Sequence, residues 1–228
     1  MMASREPEDY TAPVENYLKA IYEIERASGA AATTDIAQHL EIAPASVSGM
    51  IRRLAEQGLL EHERYRGVKL TDEGRRVALR TIRRHRVIES YLMRALGYPW
   101  DLVHDEAERL EHAASDELID RMAAAIGEPT VDPHGAPIPT REGEIDERAH
   151  LALMELEPGE HGRVVQVSDA DAGRLRYLGD LGLRPGARVT LLDRAPYGGP
   201  ITLRVGSAKC QIGPALAAVV FVERAAGA

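Results

Sequence analysis

Only one of the 228 residues is a cysteine, Cys210. A single thiol excludes an internal disulfide framework and any cysteine-rich zinc cluster, and it fits a reducing compartment. Aromatic residues are scarce too: one Phe, one Trp and eight Tyr, 4% of the chain. That scarcity argues against a single-strand nucleic-acid binder, which depends on rows of stacking rings. No run reaches the ~18 apolar residues of a membrane helix. The opening MMASREPEDYTAP is polar and lacks the apolar core of a signal peptide. The expectation is a cytoplasmic protein with no membrane partner. With 44% apolar residues the chain has enough material for a packed core, which excludes wholesale disorder.

The net charge of −8 hides a segregation. Residues 1–44 sum to −5, residues 45–86 to +6, residues 87–160 to −13 and residues 161–228 to +4. The basic block is suited to phosphate. The acidic block repels phosphate unless a cation neutralises it.

Residues 1–12 read as a loose tail. Thr11 and Pro13 are start signals for a first helix carrying Val14, Tyr17, Leu18, Ile21 and Ile24 at helical spacing, and Ser28-Gly29 ends it. Thr34 is the expected cap of a short second helix. After a turn from Glu41 to Pro44, a third helix is expected from Ala45 to Gln57, with Val47, Met50, Ile51 and Leu54 inward and Gly58 as its stop. Leu59 to Leu70 reads as a hairpin around Tyr65-Arg66-Gly67. Thr71-Asp72-Glu73-Gly74 opens a helix that runs to Leu96, and Val103 to Ile126 is expected to be helical again. Trp100, after Pro99, reads as a packing anchor at the break. Residues 127–150, rich in Pro and Gly, form a strap. From Leu151 the apolar period drops to two, with strands expected at Gly162–Val167, Arg188–Leu192, Ile201–Val205 and Val219–Val222, forming a small β-barrel.

The stretch TTDIAQHLEIAPASVSGMIRRLAEQGLL has the order of a helix-turn-helix, and ERYRGVKLT after it has the character of a basic wing. The second helix would enter the major groove. Ala45, Ser46, Ser48 and Gly49 are short enough for close approach to base edges, and the two serines offer hydroxyls. Arg52 and Arg53, one turn further on, are placed for phosphates, as are Arg66 and Lys69 on the wing. No arginine stands in the first turn of that helix, so reading is expected to lean on apolar contacts and DNA shape.

The segment His104-Asp105-Glu106-Ala107-Glu108-Arg109-Leu110-Glu111-His112 carries metal-ligand chemistry. On one helix at about 100° per residue, His104, Glu108, Glu111 and His112 fall within an arc of about 100°. His85 and Glu89, four apart, make a second pair on one helix face. Imidazole and carboxylate without thiolate suit Mn2+ or Fe2+ and tolerate Zn2+ and Co2+. The spacing is not the HExxH of a zinc protease. His134 and His150 read as ordinary strap histidines, and Cys210 as a packing residue.

These motifs together resemble the diphtheria toxin repressor, iron-dependent regulator and manganese transport regulator family. The likeness rests on ENYLKAIYE, the helix-turn-helix, RHRVIESYL, HDEAERLEH, DPHGAPIP, and YLGDLGLRPGARVTLL with GGPITLRVG. It implies a mainly α N-terminal part, winged helix-turn-helix (1–76) plus helical dimerisation and metal-binding domain (77–150), with a C-terminal all-β SH3-like barrel of FeoA type (151–228). It implies a homodimer that binds a palindromic double-stranded operator when loaded with metal, represses metal-uptake genes and is not an enzyme. The resemblance places a primary site on Asn16, Glu108, Glu111 and His112. It places an ancillary site on His85, Glu89 and His104, completed by Gln166 and Asp169 with Asp171 nearby. Glu108 favours Mn2+, whereas the barrel resembles iron-type members, so Fe2+ stays open, and Zn2+, Co2+ or Cd2+ are expected to substitute. Two rival readings remain at this point: a metalloenzyme built on His104, Glu108 and His112, and a metal-trafficking accessory without DNA affinity.

Overall fold

The computed structural model describes residues 10–65 and 67–225. Residues 1–9 of the expected tail and Arg66 of the wing lie outside the described residues. The chain divides into two compact units. One comprises residues 1–84, 111–114 and 139–144, the other residues 85–110, 115–138 and 145–228.

The first unit opens with α1, Ala12–Ser28. Pro13 sits in its first turn, and Gly29 ends it with a left-handed φ of 82°, its N–H donating to Glu25 O. Thr11 is the N-cap residue, but its hydroxyl makes no capping bond. In α2, Thr33–His39, the cap is Ala32. Thr34 therefore falls inside the first turn, where its hydroxyl bonds Asp35 Oδ1, correcting the expected cap. Helix α3, Pro44–Glu56, begins at the proline, one residue ahead of expectation. It buries Val47, Ile51 and Leu54 and leaves Met50 only half-buried.

Strands β1, Leu60–Glu63, and β2, Gly67–Leu70, form the expected hairpin, with Leu60 opposite Leu70 and Glu63 opposite Gly67. A side chain at Gly67 would meet the Ala31 carbonyl oxygen at 2.1 Å, because Ala31 and Val68 exchange backbone hydrogen bonds there. Helix α4, Asp72–Leu96, starts where Thr71 Oγ1 accepts the Gly74 N–H. Its residues are shared between the two units.

In the second unit the expected helix from Val103 to Ile126 is two helices, α5, Val103–Leu110, and α6, Asp116–Ala125. Ser115 starts α6 by accepting the Leu118 N–H, and a capping serine marks a helix beginning rather than a helix interior. Glu111 and His112 thus lie in a turn, and the single-helix arc drawn from His104 to His112 does not hold.

The C-terminal part adds β3 (Leu151–Ala152), β4 (His161–Val167), α7 (Ala172–Asp180), β5 (Arg188–Arg194), β6 (Ile201–Val205), β7 (Ala208–Ile212), α8 (Pro214–Ala217) and β8 (Val220–Arg224). Six strands make one antiparallel sheet in the order β3-β8-β4-β5-β6-β7. Its edges β3 and β7 do not pair with each other, so the SH3-like sheet is not the closed barrel that was expected. Strand β7 and helix α7 were not foreseen. AKCQI alternates apolar and polar residues but is short, largely exposed and built on the small Ala208 and Cys210, and α7 carries Gly173 and Gly179, which weaken any helix signal. Leu153, Leu156, Val164, Leu175, Leu178, Val189, Leu191, Leu203 and Val220 fill the core with Trp100. The strap crosses this sheet closely: a Cβ on Gly135 would lie 1.9 Å from Val165 O, and Val167 N–H donates to His134 O. That backbone bond fixes His134 beside the start of the loop carrying Asp169.

Candidate metal centres and nucleic-acid interface

In the second unit six ligand-type side chains meet. His85 and Glu89 lie one turn apart on α4, with His85 Nε2 3.1 Å from Glu89 Oε1. His104 at the start of α5 brings Nδ1 to 3.1 Å from His85 Nε2, 3.4 Å from Glu89 Oε1 and 3.5 Å from Asp169 Oδ2. Donor atoms of His85, Glu89, His104 and Asp169 all lie within 4.8 Å of one another, as do those of Glu89, Asp132 and His134.

The strap contributes Asp132 and His134, which sequence reasoning did not assign. Asp132 Oδ1 accepts the N–H groups of His134 and Ala136, a turn that a short acidic side chain closes on its own backbone. His134 is 1% exposed. Its Nε2 contacts Trp100 O at 2.7 Å, so that nitrogen carries the proton and donates. Nδ1 then faces Glu89 Oε1 at 3.7 Å and Asp169 Oδ2 at 4.0 Å with no hydrogen-bond partner. The pattern DPHG held the signal, a histidine two residues after an aspartate in a Pro-Gly turn, but nothing in the sequence tied it to Glu89.

Within the cluster the ionised groups hold one another, and Asp132 is the exception. Burial alone would raise the Glu89 carboxyl, but the His85 charge and hydrogen bonds from His104 and His85 outweigh it and hold it at about 2. Burial likewise opposes ionisation of Asp169, yet the His104 hydrogen bond and charge hold it well below the usual carboxylate range. The hydrogen bonds to Asp169 and Glu89 lift His104 to about 10. Asp132 goes the other way, pushed up to about 7 by burial and by the Glu89 charge, with Arg86 Nε 3.6 Å away as partial relief. Glu89 Oε2, Asp132 Oδ2 and His134 Nδ1 are buried without hydrogen-bond partners. Buried polar atoms left unsatisfied are costly and rare, and three in one cluster of nitrogen and oxygen donors fit a divalent cation.

Gln166 stands in β4 at a register shift, opposite Phe221, and makes no hydrogen bond to this cluster among the described residues. Asp171 accepts the Arg174 N–H as the cap of α7. Glu108 lies with its Oε1 3.7 Å from His85 Nδ1.

In the first unit, Glu111 is fully buried and Lys19 Nζ donates to both its oxygens, at 3.3 and 3.2 Å. His112 Nδ1 lies 2.6 Å from Glu15 Oε2, and Arg84 Nη1 holds Glu15 Oε1 at 3.2 Å. Glu15 was not foreseen: one residue before Asn16, it orients the imidazole through Nδ1 and leaves Nε2 without a hydrogen bond, 3.4 Å from Glu111 Oε1. Carboxylate partners of this kind set the tautomer of metal-binding histidines. His112 Nε2 and Asn16 Oδ1 are both buried without hydrogen-bond partners.

On the reading head, Ala45, Ser46, Ser48, Gly49, Arg52 and Arg53 are all exposed along α3. Ser48 Oγ donates to Pro44 O, which leaves its lone pairs available as acceptors. Lys69 is paired with Glu63 at 3.1 Å, a competitor that was not foreseen. The wing tip adds Arg64, stacked over the highly exposed Tyr65.

Residues 9–68 match the family described as the iron dependent repressor N-terminal DNA binding domain. Residues 71–140 match its metal binding and dimerisation domain, and residues 151–224 match the FeoA domain. The iron-dependent repressor IdeR of Mycobacterium tuberculosis is 32% identical over 222 residues, 92% of this chain and 96% of that protein. The chain belongs to the iron-dependent repressor family. A manganese-dependent transcriptional repressor solved in complex with manganese is 39% identical, with a TM-score of 0.87 over 93% of this chain and 100% of that one. The regulator MntR of Lysinibacillus sphaericus is 34% identical over 116 residues, 51% of this chain and 83% of that protein. Proteins of this family are metal-dependent transcriptional repressors that bind operator DNA and dimerise. Their activity is not enzymatic, and the metalloenzyme and trafficking readings give way. Among the described residues no helix is long and apolar enough to cross a membrane.

Proposed function

We propose that this chain is a manganese-responsive member of the family, repressing metal-uptake genes in the cytoplasm as a homodimer on a palindromic operator. The observation that carries the metal assignment is the trio of buried, unpartnered atoms Glu89 Oε2, Asp132 Oδ2 and His134 Nδ1. They add Asp132 and His134 to the ancillary donor set of His85, Glu89, His104 and Asp169. The primary set is kept as the resemblance implies it, Asn16, Glu108, Glu111 and His112, with Glu15, itself held by Arg84, orienting the His112 ring. The bound ion supplies two positive charges amid buried carboxylates.

The absence of any sulfur donor and the three carboxylates of the ancillary set favour Mn2+. Likeness to the manganese-dependent repressor points the same way. Fe2+ is the second reading, supported by likeness over nearly the whole chain to a relative named iron-dependent.

On the DNA side, Ala45, Ser46, Ser48 and Gly49 approach base edges, and Arg52 and Arg53 contact phosphates. Arg66 and Lys69 grip the backbone from the wing, Lys69 at the expense of its pair with Glu63.

The test is a mobility shift on the protein's own promoter with chelator, Mn2+ or Fe2+, for wild type, Glu89→Gln and Glu108→Ala. Binding that needs metal, is restored best by Mn2+ and is lost in both variants is expected. Equal promoter binding under chelator would refute the reading, and better restoration by Fe2+ would transfer it to iron.

A further inference from the structure

The C-terminal sheet carries a basic face that the metal chemistry does not use. Residues 161–228 contain nine Arg and Lys residues. Five of them are engaged. Arg174 pairs with Asp171, Arg176 with Asp101 and Arg224 with Glu160. Arg184 stacks on Trp100, and Arg194 donates to the carbonyls of Met154 and Leu156. The other four, Arg163, Arg188, Arg204 and Lys209, make no ion pair among the described residues, and all four are exposed.

These four are not scattered. Arg163 on β4 is directly opposite Arg188 on β5, and Arg204 on β6 is directly opposite Lys209 on β7. Thr190 on β5 is opposite both His161 and Arg204, so one row runs His161, Thr190, Arg204, Lys209 across four strands. Directly opposite residues share a face, and alternate residues along a strand share it too. All six side chains therefore stand on one side of the sheet, away from Val164, Val189, Leu191 and Leu203 in the core. Three strand spacings make the row about 14 Å long. The only carboxylate within β4 to β7 is Asp193, beyond the irregularity in β5. Glu223 on β8 is directly opposite Arg163 and lies 3.9 Å from His150.

Like charges facing each other across strands destabilise a sheet, and Glu223 is the one carboxylate directly opposite any of the four cations among the described strand pairs. A polyanion offsets the remaining repulsion. We propose that this face, built on Arg163, Arg188, Arg204 and Lys209, is a second DNA-backbone surface that grips phosphates flanking the operator. Duplex DNA is the occupant because it is the polyanion that this family binds, and because it presents one charge per about 1.7 Å of axis, dense enough to engage the whole row. Guanidinium forks suit phosphate oxygens, and an exposed sheet offers no pocket that would select a base.

The experiment uses full-length, Mn2+-loaded protein and a duplex cut from its own promoter, with the dissociation constant measured across salt concentrations. The variant is Arg163→Gln/Arg188→Gln/Arg204→Gln/Lys209→Gln. The control is Arg174→Gln/Arg176→Gln/Arg224→Gln, which lowers net charge at cations that already have carboxylate partners. Expected for the variant is at least a tenfold weaker affinity near physiological salt, and a salt slope shallower by about 0.9 for each phosphate no longer neutralised. A hydroxyl-radical footprint that shortens at its outer edges, with the centre retained, is expected alongside. The control keeps slope and footprint. An unchanged slope and footprint in the variant, with metal-induced stabilisation and dimer size as in wild type, overturns the proposal. So does an equal loss in both proteins, which assigns the effect to net charge. A variant that alters only self-association overturns it too, pointing to an acidic segment of a second copy as the occupant.

Discussion

Replacing His134 by phenylalanine keeps a planar ring in a buried slot and removes both ring nitrogens. The Trp100 carbonyl loses the donor now 2.7 Å away, and an unsatisfied buried acceptor costs about 1–3 kcal/mol. For a chain of this size the metal-free melting temperature should fall by roughly 2–4 °C for each kcal/mol. The metal term is separate. If Nδ1 is a donor, its loss weakens Mn2+ by on the order of 100-fold, at the upper end of what even indirect supporting groups produce. At a free Mn2+ concentration about 1,000 times the wild-type dissociation constant, metal stabilises wild type by about 4.1 kcal/mol and the variant by only about 1.4 kcal/mol. Thermal melts with chelator and with Mn2+ therefore give two readings from one protein. A small fall without metal and a metal-induced gain cut to about one third are expected. A variant with the lower baseline but the full wild-type gain would show that His134 serves packing alone and would remove it from the donor set.

Proton linkage gives a second prediction. Metal needs an unprotonated imidazole, and His104 is lifted to about 10 by Asp169 and Glu89, so binding at neutral pH displaces its proton. Mn2+ affinity should rise about tenfold per pH unit from about 7 towards 10, more steeply below about 7, where Asp132 holds a proton as well. Calorimetry in buffers of different ionisation enthalpy counts the protons, and a pH-independent affinity contradicts the scheme. In the metal-free protein the sign reverses: a raised His104 contributes stability that is full below about 6.5 and lost as pH rises through about 10. Lys19→Met frees both oxygens of Glu111 from a tethered ammonium, and Mn2+ should bind the primary site roughly tenfold tighter, in line with a hydrogen bond to a charged group. Weaker binding would make Lys19 an organiser of Glu111 and not a competitor. Arg52→Ala should weaken operator and random duplex alike and reduce the salt slope by about 1, and a changed sequence preference would move Arg52 from phosphate to base.

The chain order alone determined the helix-turn-helix, its wing and the change of period at Leu151, because each follows from local patterns. Pro13 and Gly29 bracket one helix, Gly58 ends another, and alternating Val and Leu mark β4, β5 and β6. It also made His85 with Glu89 a ligand pair, since four residues is one helical turn. What it could not settle was where helices stop for tertiary reasons. Ser115 restarts the chain as α6, so His112 leaves the His104 helix and its imidazole goes to Glu15, 97 positions earlier. Nor could it join a strap to a helix. His134 reaches Glu89 because the strap hydrogen-bonds β4 through the space Gly135 leaves beside Val165, an approach with no signature in either segment. The four unpaired cations look like ordinary surface residues when read in order, and only strand register sets them side by side. Local spacing decides which residues can act as donors. Which donors share one ion or one phosphate row is decided by close backbone packing between segments far apart in the chain.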